Sequence, residues 1–147
     1  LHVGAKTFIN PLTAYSKDGI IMELATAAAE VVDVDVATIS HAVRQRERLM
    51  STGIGRGLAV PHARLPELTE PVVVVGLSHG GVDFDSPDGL PAQVICLILT
   101  PVQDDGAQLE ILADIASTFK IKEIREKVGG VSNFTEFLAL VRSGQGR

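Results

Sequence analysis

The sequence predicts a three-layer α/β domain in which helices cover both faces of a central sheet. Two continuous apolar runs, at 72–78 and 93–100, are typical of strands that are buried on both faces. Helical patterns precede and follow these runs, and that order places helices on both sides of a sheet. The chain has 147 residues, so we expect one domain over 1–147, with its core at about 12–142.

Two helices are predicted in the first third of the chain. Residues 1–11 carry no period, and we expect an N-terminal arm or a short edge element there. Ser16 can cap a helix over 17–31, and Asp35 can cap a second helix that ends at about residue 49. The apolar positions expected to face inward are Ile20, Leu24, Ala28 and Val31 in the first helix, and Val36, Ile39 and Val43 in the second.

The middle of the chain predicts a loop and short strands. Three glycines in five residues predict a loop at 52–57. Residues 58–60 are predicted to form a short strand, which Pro61 limits to the edge of a sheet or to a strand end. A further short strand is predicted at 82–84, before a turn at 85–89.

Three helices are predicted after the second apolar run. Asp104 or Asp105 starts the first of them, and a short helix at 122–128 stops at two glycines. Ser132 is predicted to cap the last helix. The apolar residues of the first and last of these helices are Leu109, Leu112, Ile115, Ala116 and Phe119, and Phe134, Phe137, Leu138 and Val141.

Composition and charge exclude several classes of protein. Hydrophobic residues make up 46% of the chain and charged residues 21%, which is typical of a globular protein. The net charge of −5 provides no positive field to attract nucleic acid or anionic lipid. No apolar run approaches the roughly 20 residues that span a bilayer, so we expect no direct membrane insertion. A single cysteine, Cys96, and the lack of a signal pattern favour a reducing cytoplasm.

Several short motifs do not carry the chemistry that they suggest. Gly76-Leu77-Ser78-His79-Gly80 fits a hydrolase nucleophile elbow, but no histidine follows it in the chain. The glycine-rich segment lacks the pattern of a dinucleotide or Walker loop, and Pro87 breaks a calcium-like run of aspartates. The histidines have no metal-ligand spacing. We therefore expect neither a metal nor a cofactor.

DNA binding is a further alternative from a different functional class. Residues 23–44 superficially resemble a helix-turn-helix, with Arg44, Arg46 and Arg48 as phosphate contacts. These arginines are two residues apart and therefore point to different sides of a helix, and the rest of the chain is acidic. We expect no nucleic-acid partner.

His62 is the candidate nucleophile. It follows Pro61 at the end of a predicted strand, so the backbone that carries its ring is stiff. A neutral imidazole is a good nucleophile, and the nearby Arg56 and Arg64 could bind a phosphoryl group during its transfer. The alternative is a histidine that only hydrogen-bonds a backbone carbonyl at a strand end.

Arg46 is a second candidate. It continues the apolar stripe formed by Val36, Ile39 and Val43, so the pattern places a cation on the inward face of a helix, in its last turn. A charge there must find a partner. It could extend to solvent, complement the helix C-terminus, or point into a site for an anion.

Arg46-Glu47 and the string STGIGRGLAVPH at 51–62 resemble the phosphorylation-site region of fructose/mannitol-type EIIA domains of the bacterial phosphotransferase system. The similarity covers about residues 12–142 and continues through 82–84, Asp88-Gly89, Thr100-Pro101 and 109–113. The resemblance implies a sandwich around a mixed sheet. It implies that His62 accepts phosphate from the phosphocarrier HPr and that Arg46 helps to hold it. Thr52, Arg56 and Arg64 are the candidate phosphate-binding residues.

The sequence departs from the family at one site position. The family commonly has a second histidine just before the Leu-x-Ile-Leu-Ala helix, where this chain has Gln108. Glutamine can donate a hydrogen bond to a phosphoryl oxygen, but it cannot become cationic or relay a proton. We therefore expect either a carrier that passes phosphate to an EIIB domain, or a regulatory EIIA-like module that acts on a transporter or sensor with weak or no phosphotransfer.

Overall fold

The computed structural model describes residues 3–144, and within them it contains five α-helices and six strands. Two short 3-10 turns lie at Ala5–Thr7 and Val128–Gly130. The helices are α1 Lys17–Ala29, α2 Val36–Leu49, α3 Asp105–Phe119, α4 Lys122–Lys127 and α5 Phe134–Ser143. The strands are β1 Phe8–Ile9, β2 Gly53–Gly55, β3 Leu58–Ala59, β4 His62–Leu65, β5 Val72–Val82 and β6 Ala92–Pro101.

The strands form one mixed sheet. Its order is β1-β5-β6-β3-β2, and β4 pairs with the same strand as β3 does, β6. β1 runs parallel to β5, and β3 and β4 run parallel to β6, whereas β5–β6 and β2–β3 are antiparallel. The N-terminal segment therefore supplies an edge strand, which is one of the two structures expected for it.

Two hydrophobic cores lie on opposite faces of the sheet. One contains the buried side chains of α1 and α2, and the other contains those of α3, α4 and α5. Residues along β6 alternate between the cores: Ile95, Leu97 and Leu99 face α1 and α2, and Cys96 and Ile98 face α3. Because both faces of β6 are covered, its sequence is continuously apolar, and the predicted three-layer α/β architecture is confirmed.

Most predicted helix starts are confirmed, and one is displaced by a residue. The side chains of Ser16, Asp35 and Asp104 accept hydrogen bonds from first-turn N–H groups, as caps do. The prediction that Ser132 caps α5 is wrong, because Asn133 Oδ1 accepts from the Glu136 N–H at 2.9 Å. The first helix is also shorter than predicted. It ends at Ala29, and Val31 is 39% exposed rather than inward.

The glycine-rich segment is a strand pair, so the prediction of a loop over 52–57 is wrong. β2 and β3 form an antiparallel hairpin, and positive φ angles occur at its two turn residues, Arg56 and Gly57, and at the preceding Gly55. Glycine adopts that backbone region without a Cβ penalty. The Asp88 carboxylate accepts from the Arg56 N–H at 2.7 Å and from the Leu90 N–H at 3.0 Å, which lowers the pKa of Asp88 and ties the turn to the next loop.

Two strand predictions also change. The strand predicted at 58–60 is β3, which ends at Ala59, before Pro61, but the sequence did not predict that pairing with β6 resumes at His62, where β4 begins. Residues 82–84 were predicted as a separate strand. Val82 is instead the last residue of β5, which passes through an irregularity after Leu77.

Gly76 lies inside β5 and packs against Leu12, which accounts for a glycine in the rejected elbow motif. A Cβ at Gly76 would lie 2.6 Å from Cδ1 of Leu12. We predict that Gly76→Ala lowers the free energy of unfolding by about 1–3 kcal/mol through overpacking, measured by urea denaturation. Gly80→Ala on the same strand meets no atom within 4 Å and serves as the control. Equal effects of the two changes would contradict this explanation.

Of the helices in residues 3–144, none combines the length and the apolar character that crossing a membrane requires.

Candidate functional site

His62 occupies the first position of β4, opposite Ile98 of β6. Its ring Nδ1 lies 2.8 Å from the carbonyl oxygen of Val60, and the residue is 7% exposed. A carbonyl oxygen can only accept a hydrogen bond, so Nδ1 carries the proton in the neutral ring. The unprotonated nitrogen is therefore Nε2, whose lone pair is free for nucleophilic attack.

The surroundings of His62 favour the neutral ring. Burial is the largest cause that lowers the pKa of His62, and the positive charge of Arg46 lowers it further. The hydrogen bond to the Val60 carbonyl and the negative charge of Glu47 act in the opposite direction, and the net pKa is below the ordinary value of 6.5. At neutral pH the ring is uncharged, as a nucleophile must be.

We predict a proton-binding midpoint below pH 6.5 for the His62 ring, measured by NMR titration. The unfolded chain binds this proton more tightly, so the stability contributed by the neutral ring is present above pH 6.5. It is lost as the pH falls through the lowered folded pKa. Because the folded pKa lies below 6.5, more than half of the folded molecules have a neutral His62 ring at pH 6.5. A midpoint at or above 6.5 would contradict this account of the site.

Arg46 lies in the last turn of α2 and supplies positive charge near His62. It is half-buried, and its Nη1 donates to the carbonyl oxygen of Met50 at 2.9 Å, so it also complements the helix C-terminus. Two of the interpretations that the sequence left open are therefore compatible. One guanidinium holds the end of α2 and lowers the pKa of His62.

Glu47 is the residue of this region that sequence reasoning missed. Its buried carboxylate accepts from the Thr52 N–H at 2.8 Å and from the Thr52 hydroxyl at 2.5 Å, and it pairs with Lys17 Nζ at 3.1 Å. Lys17 also pairs with the exposed Asp85. The signal was present, because Ile39, Val43 and Glu47 are spaced four residues apart on the buried face of α2.

Thr52 hydrogen-bonds the Glu47 carboxylate through both its N–H and its hydroxyl group. Because its single hydroxyl proton is donated to the carboxylate, Thr52 joins the end of α2 to the start of the hairpin that leads to His62. Its predicted direct contact with phosphate stays a prediction.

Arg64 connects β4 to the start of α3. It follows His62 by two residues, so both side chains leave the same face of the sheet. Its Nη2 donates to the Val102 carbonyl at 2.7 Å and to Asp105 Oδ1 at 2.5 Å. Gln108 lies one turn further along α3 and is half-buried. The fold thus directs Arg64 and the first turns of α3 to the side of the sheet that His62 faces.

Arg56 is not brought to His62 by the strand register. It lies in the β2–β3 turn, two residues before Leu58, which pairs with Val94, whereas His62 pairs with Ile98. Four residues along β6 correspond to about 13 Å. Arg56 lines a separate cavity near the C-terminus of α3, and its proposed phosphate contact stays a prediction.

Exposed apolar side chains flank the His62 region from two directions. At the end of α2, Leu49 is 82% exposed and Met50 is 70% exposed. At the start of α3, Val102 and Leu109 are also exposed. We call these four residues the apolar rim. Among the residues that the structure describes, no group of three or more His, Cys, Asp or Glu is arranged to hold a metal ion.

Comparisons with known proteins identify relatives of this chain. The sequence model of the family described as "phosphoenolpyruvate-dependent sugar phosphotransferase system, EIIA 2" matches residues 4–144. A fructose-specific EIIA component of Haloferax volcanii is 32% identical over 118 residues, which cover 80% of this chain and 75% of that protein. A nitrogen regulatory protein of Pseudomonas aeruginosa is 33% identical over 114 residues, 77% of this chain and 74% of that protein.

Solved structures show the same fold. The nitrogen regulatory protein IIA-Ntr from Neisseria meningitidis superposes with a TM-score of 0.90 at 28% identity, covering 95% of this chain and 96% of that one. The mannitol IIA of Escherichia coli, in complex with phosphorylated IIB, superposes with a TM-score of 0.83 at 18% identity, covering 96% and 97%. The second likeness concerns the fold alone.

Proposed function

Because this chain belongs to the EIIA 2 family of the phosphoenolpyruvate-dependent sugar phosphotransferase system, we propose that it carries a phosphoryl group on Nε2 of His62. The observation that carries the proposal is the hydrogen bond from Nδ1 to the Val60 carbonyl. It fixes the tautomer and leaves the other nitrogen as the nucleophile. The lowered pKa of the ring supports the same role.

The transfer needs no proton at the attacking atom. The Nε2 lone pair attacks phosphorus in line with the P–N bond of a donor phosphohistidine, and that bond breaks with its electron pair remaining on the donor nitrogen. The proton stays on Nδ1 and is donated in the hydrogen bond to the Val60 carbonyl oxygen, and this hydrogen bond stabilises the positive charge that develops on the His62 ring. The reverse sequence of steps passes the phosphoryl group to the next acceptor.

Positive charge near His62 stabilises the phosphoryl oxygens. Arg46 supplies a guanidinium whose field already reaches the ring. Glu47, held by Lys17 and Thr52, fixes the turn of helix that carries Arg46. Gln108 would donate its amide N–H to a phosphoryl oxygen from the start of α3.

The partners we propose are an HPr-type phosphocarrier as donor and an EIIB domain, or a regulated transporter or sensor, as acceptor. The apolar rim around a recessed nucleophile suits the docking of successive partners on one surface. In one of the structural neighbours, a IIA protein is bound to phosphorylated IIB. We place this relay in the cytoplasm, where phosphoenolpyruvate is produced.

A regulatory role is the second candidate, and Gln108 favours it. Its amide does not titrate, so it cannot supply the cationic charge or the proton relay of a histidine. Relatives of this chain include nitrogen regulatory proteins as well as fructose-specific components. Gln108→His should raise the rate of donation to an EIIB partner if glutamine limits the relay. An unchanged rate would remove this argument for the regulatory role.

The proposal is tested by intact mass after incubation with phosphoenolpyruvate, enzyme I and HPr. We expect a gain of one acid-labile phosphate. No gain, with a sugar-specific EIIA labelled in the same tube, would contradict the carrier function and favour a module that binds its partners without phosphotransfer.

The rim makes a separate prediction about docking. Leu109→Asp places a charge in a surface that a partner must desolvate, so the KM for phospho-HPr should rise about tenfold or more. The transfer rate at saturating HPr should change little. Leu90→Asp, at a residue that is also more than half exposed but lies in the loop before β6, is the control and should leave KM unchanged. Equal effects of the two variants would contradict docking on the rim.

A further inference from the structure

Two buried polar atoms on the α3 side of the sheet lack hydrogen-bond partners. Within residues 3–144, the Thr100 hydroxyl and the carbonyl oxygen of the Gln108 amide are buried and form no hydrogen bond. Thr100 is completely buried. A buried polar group without a partner destabilises a fold, so each such group calls for an explanation.

Strand register and helix periodicity place both groups at the same end of one interface. Thr100 lies two residues beyond Ile98, which faces α3 and pairs with His62, so the Thr100 side chain also faces α3. Gln108 precedes Ile111 by one turn on the stripe of α3 that packs into the same core. α3 begins shortly after the C-terminal end of β6 and runs back along that strand, so the first turns of α3 cover the last residues of β6.

The two groups are chemically complementary. A hydroxyl can donate a hydrogen bond, whereas an amide carbonyl oxygen accepts hydrogen bonds and cannot donate them. One bridging water molecule between them would satisfy both atoms. The carbonyl of Gln108 would then be held toward Thr100, and the NH₂ group at the other end of the amide would be directed away from it.

The orientation of this amide matters once His62 is phosphorylated. Phosphoryl oxygens are acceptors, so they are stabilised by the NH₂ end of the amide and repelled by the carbonyl end. A glutamine rotated by half a turn would therefore oppose the transfer instead of assisting it. The chain needs a group that distinguishes the two ends of Gln108.

We propose that Thr100 is that group, a positioning residue that orients Gln108 through one bridging water molecule so that the amide N–H donates to the phosphoryl group on His62. The inference rests on the proposed function, since it concerns how this chain stabilises phosphate with a glutamine. It assigns the role to a hydroxyl that does not itself contact the reacting atoms.

Single-turnover phosphorylation by saturating phospho-HPr tests the proposal. Thr100→Val keeps the shape of the side chain and removes the hydroxyl, and it should slow the transfer about tenfold, the effect of one hydrogen bond to a charged group. Thr100→Ser keeps the hydroxyl and should stay within about twofold of the wild type. In a Gln108→Leu background, Thr100→Val should change the rate by less than about twofold, because there is no amide left to orient.

Two kinetic results would overturn the proposal: a wild-type rate in Thr100→Val, or the same slowing by Thr100→Val in the Gln108→Leu background. A crystal structure at atomic resolution gives a test that does not depend on phosphorylation. A water molecule about 3 Å from both Thr100 Oγ1 and Gln108 Oε1 supports the proposal, and an amide whose nitrogen faces Thr100 contradicts it. If the wild type accepts no phosphate, the proposed function fails while this structural test still decides the orientation.

Discussion

His62→Gln is expected to abolish phosphorylation, with a fall in rate of about 10⁴-fold or more, because no other group replaces the nucleophile. The substitution is chosen to preserve the fold. A glutamine NH₂ can still donate to the Val60 carbonyl, so that buried acceptor need not lose its partner. The measurement is intact mass after incubation with phosphoenolpyruvate, enzyme I and HPr.

His79→Gln is the matched control for this experiment. His79 lies on β5, is exposed, and contacts Asn10 Oδ1 through its Nε2 at 2.7 Å. Its replacement should leave labelling unchanged. Labelling that survives in His62→Gln but disappears in His79→Gln would assign the phosphoryl group to His79 and contradict the proposal.

Glu47→Leu is expected to produce the largest loss of stability, about 2–4 kcal/mol in the free energy of unfolding. The change removes the acceptor of the buried Thr52 N–H and hydroxyl and leaves Lys17 with its exposed partner alone. Removal of one member of a buried charged network is strongly destabilising, and the partial exposure of Lys17 places this case at the lower end of the usual range. Chemical denaturation measures the effect.

Asp85→Asn provides the comparison, since Asp85 is the other carboxylate bound by Lys17 but is 73% exposed. An exposed pair contributes little, so we expect a change below about 1 kcal/mol. The phosphorylation rate should also fall in Glu47→Leu, because the helix turn that carries Arg46 loses its anchor. Equal losses in the free energy of unfolding of the two variants would contradict the explanation that the burial of Glu47 causes the larger effect.

The elements that the sequence predicted best are those in which one strong pattern determines the local structure. Continuous apolar runs predicted β5 and β6. The central residues of these strands are apolar on both sides because helices cover both faces of the sheet. The helix caps Ser16 and Asp35 followed from their side-chain chemistry. The family resemblance of the 51–62 string is confirmed by the match over residues 4–144.

The glycine-rich hairpin could not be predicted from local propensity. Glycine disfavours regular structure, but here the pairing of β3 with β6 and the hydrogen bond from the Arg56 N–H to Asp88 stabilise the hairpin. Pro61 was expected to end a strand. The strand does end before Pro61, and what the sequence did not predict is that pairing with β6 resumes at His62, after Val60 and Pro61, which have no register partner on β6.

The site was predicted in part. The roles of His62 and Arg46 stay predictions, and the backbone carbonyl that the sequence offered as an alternative partner for His62 fixes the tautomer of its ring. Glu47 was missed because a charge at the end of a helix is usually solvated, and only tertiary structure brings Thr52 and Lys17 to it. The attacking nitrogen depends on one hydrogen bond that no sequence pattern encodes.

The central claim is that the Val60 carbonyl holds the proton on Nδ1 and leaves Nε2 of His62 to carry the phosphoryl group. Heteronuclear NMR of the phosphorylated protein, with ³¹P coupling to ring nitrogens, tests it most directly. We predict a single phosphohistidine at His62, bonded through Nε2, with Nδ1 still protonated. Phosphate bonded to Nδ1, or found on another residue, would contradict this account.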